Sequence, residues 1–359
     1  WVANPERLPN GIKGLSERIE AMGIKFGLWF EPEMTNKDSD LYRAHPDWIL
    51  HTPGRNTSHG RYQYVLDFSR KEVVEYIYEM MAKILSEAKV SYIKWDMNRS
   101  ITECYSVALP ADRQGEVFHR YILGVYDLYE RLTSEFPEVL FESCSSGGGR
   151  FDPGMLYYAP QGWTSDDSDA IERLKIQYGT SLCYPISSMG SHVSVIPNHQ
   201  VFRKTPLHTR ANVAYFGTFG YELDLNSLKE EEIAEVKEQI IFMKKYRKLL
   251  QFGDFYRLKS PFEGNETIWM VVSEDKKTAI VGYYRTLNGV NQAYSRIKLQ
   301  GLDPDMLYEN ILNKTENYGD ELMNFGLITT DVTAGEVPGD ATSCTDFESR
   351  IYILKAKEK

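Results

Sequence analysis

Cysteine is scarce in this chain. Four occur in 359 residues, at positions 104, 144, 183 and 344, and none of the spacings is that of a metal-binding or redox pair. This pattern argues against a disulfide framework or a zinc ribbon, and it fits free thiols in a reducing compartment. Basic charge is also short: 41 Lys and Arg stand against 51 Asp and Glu, giving a formal net charge of -10. Nucleic acid and anionic lipid both need a basic face, so neither is an expected partner, and a neutral substrate suits the balance better. No apolar run approaches the roughly 20 residues that cross a bilayer, and no membrane segment is expected. Internal repeats, low-complexity tracts and a flexible linker are missing too. No signal-type segment opens the chain, which begins at Trp1, so a cytoplasmic, bacterial setting is the expectation.

What the chain does have is length and aromatic rings. At 359 residues it exceeds the usual size of a single core, so two domains are expected. Its 24 Tyr and 6 Trp are flat amphipathic rings that fill cores or stack on the apolar face of a sugar. From residue 11 to about 250, short apolar runs alternate with amphipathic helical stretches, the pattern of βαβ units in a parallel sheet. The strand candidates are Lys25–Phe30, Tyr64–Phe68, Tyr92–Trp95, Val139–Glu142, Gly162–Thr164, Cys183–Ser187 and Ala211–Phe216. Helices are predicted over Gly14–Met22, Lys71–Ala88, Glu116–Phe136, Ala170–Tyr178 and Lys229–Leu250. Seven strands are one fewer than an eight-stranded (β/α)8 TIM-type barrel needs, and the expected place for the missing first strand is before residue 1. The barrel domain is placed at residues 1–252, carrying strands 2–8. After it, runs such as Thr267–Val272, Thr278–Tyr284 and Arg296–Leu299 between turn-rich segments predict an antiparallel β-sandwich over 253–359. An open strand edge near Lys25–Phe30 would invite a partner, a second copy of the chain included.

In a parallel βα barrel the reactive groups stand at the C-terminal ends of strands. Polar residues recur there: Trp29, Glu31 and Glu33; Lys94, Asp96 and Asn98; Glu142, Cys144 and Ser146; Trp163, Asp166 and Asp167; and His192. Arg61 lies just ahead of its strand. Lys94 and Asp96, two residues apart, share one face of their strand. Alone they would read as a structural ion pair, but Asp166 at another strand end makes a second carboxylate able to flank the same bond. Retaining glycosidases use such a pair, one ionised carboxylate to attack the anomeric carbon and one protonated carboxyl to protonate the leaving oxygen, about 5 to 5.5 Å apart. Lys94 is expected to favour the ionised form of Asp96, and Asp167 and Asp169 to crowd Asp166 toward its protonated form.

Other readings of these residues are weaker. The glycine-rich Ser143–Arg150 segment lacks the Gly-Lys-Ser/Thr ending of a phosphate cradle and is read as a loop shaping a pocket. Cys144 has no His partner visible in sequence, so it is read as a packing or contact residue. Glu31, Glu33 and the 166–169 aspartates match no known metal spacing, and no metal or cofactor is expected. His192 is open between a pocket hydrogen-bonder and a core histidine. A glycan on the sequon Asn98-Arg99-Ser100 would obstruct the Asp96 strand end, in keeping with a cytoplasmic chain.

At these residues the sequence resembles the α-galactosidases of glycoside hydrolase family 36. The likeness runs through Gly27–Glu33, Gly60–Arg61 to Leu66–Asp67, Tyr92–Arg99, Phe141–Arg150, Gly162–Arg173 and Gly190–Val193. It implies that Asp96 is the nucleophile and Asp166 the acid/base, with Asp167 and Asp169 in support. It also implies that Trp29 forms part of the pocket wall, that Arg61, Lys94, Asn98 and Cys144 contact galactose, and that the Gly147 loop and Trp163 shape the site. The implied substrates are galactose-containing oligosaccharides of the melibiose and raffinose type, hydrolysed at α-1,6 linkages with retention. The family's adjacent aspartate pair after the first barrel strand is not in this sequence. Galactosyl transfer, α-N-acetylgalactosaminidase activity, a catalytically silent sugar-binding chain and, more distantly, a metal-dependent hydrolase stay open as alternatives.

Overall fold

The computed structural model describes residues 1–289, 295–329 and 346–357, so Cys344 lies outside the described residues. The chain divides into two compact units, Trp1–Asp166 and Asp167–Lys359. The first contains strands β1 (Gly27–Phe30), β2 (Met34–Asn36), β3 (Gln63–Val65), β4 (Tyr92–Trp95), β5 (Leu140–Ser143) and β6 (Gln161–Gly162). β1, β4, β5 and β6 pair in that order as a parallel sheet, with β1 at one edge.

Alternation along β4 positions the chemistry. Ile93 and Trp95 are fully buried in a core with Val73, Ile77 and Met81 of the helix Lys71–Glu87 and with Val125, Leu128 and Tyr129 of the helix Val117–Glu135. Lys94 and then Asp96 take the opposite face, because successive side chains of a strand point to opposite sides. Trp95 stacks on Tyr129 with ring centroids 4.0 Å apart, so the residue before Asp96 is pinned by packing. Within the second of these helices Gly124 lets the backbone come close: a Cβ there would meet the Phe68 carbonyl oxygen at 1.9 Å.

The second unit contains β7 (Gly190–Ser194) and β8 (Thr218–Glu222), paired in parallel. Then follow β9 (Asp254–Lys259), β10 (Glu266–Val272), β11 (Thr278–Arg285), β12 (Arg296–Ile297), β13 (Leu307–Asn310), β14 (Glu316–Tyr318), β15 (Leu327–Ile328) and β16 (Glu348–Ala356). Six of these form an antiparallel sheet in the order β14, β13, β16, β11, β10, β9, and β12 pairs with β15 in a separate ribbon. β10 is buried on both faces, which is why its sequence is an unbroken apolar run. Ile268, Met270 and Val272 pack with Ile297, Leu299 and Leu327, whereas Trp269 and Val271 pack with residues of the helices Leu207–Ala214 and Glu230–Phe252.

Two expected strands are displaced, and a third lies outside the parallel sheet. Cys183–Ser187 is a turn leading through Pro185 into a short 3-10 helix, Ile186–Ser188, and the strand begins at Gly190. Ala211–Phe216 belongs largely to the helix Leu207–Ala214, and its strand is Thr218–Glu222. Tyr64–Phe68 contributes only β3, which pairs antiparallel with β2 outside the parallel sheet. Six parallel strands, not seven, are therefore present among the described residues.

Candidate active site

The parallel ladder continues one residue past β4, where the Asp96 N–H donates to the Phe30 carbonyl at 2.8 Å. This fixes Asp96 at the C-terminal end of the strand, with its residue only 7% exposed. Its Oδ1 accepts from the Met97 N–H at 2.9 Å. Its Oδ2 accepts from the Trp29 indole N–H at 3.2 Å and from Asn98 Nδ2 at 2.6 Å. Three donors thus orient the carboxylate before any substrate arrives.

Asn98 is itself held on all sides. Its Nδ2 also donates to Glu31 Oε1 at 2.6 Å, and its Oδ1 accepts from the Ser146 hydroxyl at 3.1 Å. Glu31 in turn accepts from Arg61 Nη1 at 3.2 Å and from Gln63 Nε2 at 2.8 Å. Four residues singled out from sequence, Trp29, Arg61, Asp96 and Asn98, therefore share one hydrogen-bonded network. Glu31, Gln63 and Ser146 complete it, Glu31 and Ser146 standing at strand ends.

Lys94 has a partner on the neighbouring strand. Its Nζ pairs with Glu142 Oε1 at 3.3 Å and lies 4.7 Å from the centroid of the Trp163 ring. Glu142 is almost fully buried and also receives the Tyr92 hydroxyl and Gln161 Nε2. Burial and then the Glu142 charge push the Tyr92 phenol well up, so it remains an O–H donor.

The glycine-rich loop ties Asp166 to this frame. Ser146 and Gly147 both have left-handed backbone, φ +46° and +78°, and a Cβ on Gly147 would meet Ser165 Cα at 2.6 Å and Asp166 N at 2.7 Å. Gly147 is thus required by close approach to the backbone that carries Asp166. Trp163 enters the same segment buried, its N–H donating to the Ser143 carbonyl at 2.9 Å. Cys144 is buried beside Asp96; burial first, then the Asp96 charge, push its thiol up to about 12, which suits packing and contact and not nucleophilic attack.

Beneath these groups Glu33 forms a charged hub, fully buried. It accepts from Arg150 Nη1 and Nη2 at 2.8 Å each, from Trp95 Nε1 at 2.7 Å and from the Tyr121 hydroxyl at 2.5 Å. Burial raises its carboxyl, but the Arg150 charge and these hydrogen bonds outweigh that and leave it below its usual value. The hub joins the residue before Asp96 to the last residue of the glycine-rich loop.

In the second unit, Asp169 caps the helix Ala170–Ser181, accepting from the Ile171 and Glu172 N–H groups at 3.0 and 3.1 Å, and it also receives Arg203. Asp167 accepts from the Asp169 N–H at 3.0 Å. His192 lies within β7, its Nδ1 3.4 Å from Glu222 Oε2. No helix among the described residues is long and apolar enough to cross a membrane.

Residues 1–253 match the melibiase family model, and residues 266–354 match the model of the glycosyl hydrolase family 36 C-terminal domain. The chain is 55% identical over its whole length to α-galactosidase AgaA of Geobacillus stearothermophilus, covering 48% of that protein. It is 48% identical to α-galactosidase Mel36A of Lactobacillus acidophilus over 99% of its own length and 47% of the relative's. It spans about half the length of the curated relatives it matches. Among solved structures, an AgaA variant in complex with raffinose superposes with a TM-score of 0.94 at 52% identity, over 99% of this chain and 48% of that one. The α-galactosidase of Lactobacillus brevis gives a TM-score of 0.96 at 49% identity, over 100% of this chain and 48% of that one. These likenesses carry the fold class expected from sequence, a TIM-type barrel followed by an antiparallel β domain. With its first 253 residues fitting the melibiase model and its C-terminal sheet the matching family domain, the chain belongs to the α-galactosidases of glycoside hydrolase family 36.

Proposed function

We propose that this chain carries the reacting residues of a retaining α-galactosidase acting on terminal α-1,6-linked galactose in melibiose- and raffinose-type sugars. The observation that supports this most is Asp96, a strand-end carboxylate oriented by three donors in the same unit as Asp166, whose backbone abuts Gly147. In the first step an Asp96 oxygen bonds to the anomeric carbon while the glycosidic C–O bond breaks, and Asp166 gives its proton to the departing oxygen. In the second, water attacks the same carbon, its proton passes to Asp166, and the Asp96 ester is released, so two inversions give net retention. Trp29 holds Asp96 and walls the pocket; Arg61, Lys94, Asn98 and Cys144 contact galactose; Gly147 and Trp163 shape the cavity. The solved AgaA variants in complex with raffinose and with stachyose support oligosaccharides of this class as substrates.

The proposal extends to organisation. Residues 1–252 are the catalytic domain and 253–359 the C-terminal domain, a division supported by the two family models. The setting is the cytoplasm of a bacterium, supported by bacterial relatives and by free cysteines at 104, 144 and 183.

The test is a pair of substitutions. Asp96→Ala abolishes turnover of every α-galactoside. Asp166→Ala slows raffinose hydrolysis far more than glycosylation by substrates whose leaving groups need no proton. Full activity in the first variant, or equal loss on both substrate types in the second, contradicts the assigned roles.

A further inference from the structure

Residues Gly60–Gln63 close a two-residue turn, in which the Gln63 N–H donates to the Gly60 carbonyl at 2.9 Å. Both central residues have left-handed backbone, Arg61 at φ +52° and Tyr62 at φ +60°. A turn of that hand favours Asn or Gly at these positions, because a Cβ is strained there. A bulky aromatic in the left-handed region is an outlier, and such strain collects at ligand clamps.

The neighbourhood holds the strained geometry. Asn36 Nδ2 donates to the Tyr62 carbonyl at 3.0 Å, and Glu31 receives the side chains on both flanks of Tyr62, Arg61 and Gln63. Glu31 also holds Asn98, which holds Asp96. Three hydrogen bonds in series therefore tie Tyr62's neighbour to the attacking carboxylate. The Tyr62 ring itself fills no core: the residue is 80% exposed, and its ring lies nearly parallel to the His59 imidazole, 20° between planes and 5.7 Å between centroids. Turn stability alone would be better met by Asn, and burial explains nothing for a ring left in solvent.

We propose that Tyr62, backed by His59, is a stacking platform for the leaving sugar, the unit joined to galactose through the scissile oxygen. A pyranose presents an apolar face of C–H groups to an aromatic ring, and the phenol and imidazole offer polar atoms to its hydroxyls. Arg61 grips the galactose side of the bond and the next residue takes the other side. The inference rests on the reading of Asp96 and Asp166 given above, and its test separates the two.

The test compares raffinose with α-galactosyl fluoride, which has no leaving sugar, in the unaltered chain and in Tyr62→Asn, Tyr62→Phe and Tyr62→Trp. Tyr62→Asn lowers kcat/KM for raffinose about threefold to tenfold, the scale of an aromatic stacking contact. It leaves galactosyl fluoride turnover unchanged, and its Tm stays level or rises because Asn suits the turn. Phe and Trp retain most of the raffinose activity. Unchanged raffinose kinetics in Tyr62→Asn, or an equal loss on both substrates, overturns the platform. If the unaltered chain turns over neither substrate, the catalytic reading fails, and calorimetric binding of raffinose against galactose decides the platform separately. Tyr62→Asn then removes the preference for raffinose; an unchanged ratio, or no raffinose binding by the unaltered chain, overturns it.

Discussion

Glu33→Gln takes one negative charge out of the interior of the first unit while nearly preserving the shape of the side chain. In the unaltered chain two carboxylate oxygens accept four hydrogen bonds, two from Arg150 and one each from Trp95 and Tyr121. A Gln offers one acceptor oxygen and turns an N–H toward donors, so at least one Arg150 contact becomes donor against donor and the guanidinium loses its counter-charge. Breaking a buried pair from one side costs about 3–5 kcal/mol, a large fraction of the roughly 5–15 kcal/mol that holds a domain folded. Urea unfolding at neutral pH would then show a midpoint lower by about 1–5 M for a slope near 1–3 kcal/mol per M. Because the Glu33 carboxyl lies below its usual value in the folded chain, its stabilisation is full above the unfolded value of about 4.3 and is lost as pH falls through the lower folded value. The unaltered chain therefore loses stability in that acid window more steeply than Glu33→Gln. The double change Glu33→Leu with Arg150→Met should recover much of the loss, since replacing both partners leaves no charge unpaired. A midpoint for Glu33→Gln equal to that of the unaltered chain would refute the hub as an energetic link between Trp95 and the glycine-rich loop.

Gly147→Ala forces a Cβ into the backbone of Ser165 and Asp166 at a left-handed position, so turnover should drop about 100-fold through misplacement of Asp166 while circular dichroism stays unchanged; full activity would show that the loop does not position the acid. Cys144, buried and with its thiol pushed up to about 12, should resist alkylation at pH 8 while exposed Cys183 reacts, as read by peptide mass spectrometry. Labelling should spread to Cys144 only as pH nears that value or the chain unfolds; equal rates at pH 8 would contradict its burial.

Strongly periodic segments were legible in the sequence. Lys71–Glu87 and Val117–Glu135 fall within a residue of expectation because their apolar faces recur every three to four positions against one core. β10 and β11 were legible as apolar runs. One displaced strand has a clear physical cause: Ala211–Phe216 is a short apolar stretch whose period does not distinguish a buried helix from a strand. The true strands, Gly190–Ser194 and Thr218–Glu222, are rich in small and polar residues that read as loop. At the site, Asp96 and Asn98 were visible because they follow an apolar run at period two. Partners distant in the chain were not: Glu31 meets Asn98 across 67 positions, and Arg150 meets Glu33 across 117. Glu142 was likewise not visible as a partner of Lys94, although it lies directly beside it in register on the adjacent strand, where the two form an ion pair.

The proposed roles are that Asp96 attacks the anomeric carbon and Asp166 protonates the leaving oxygen. Proton NMR of the first galactose released from an activated α-galactoside, read before mutarotation, tests them most directly. Double displacement gives α-galactose as the initial product, with the β anomer growing in only at the spontaneous rate. Initial release of β-galactose would mean a single displacement by water, and Asp96 would not be the nucleophile.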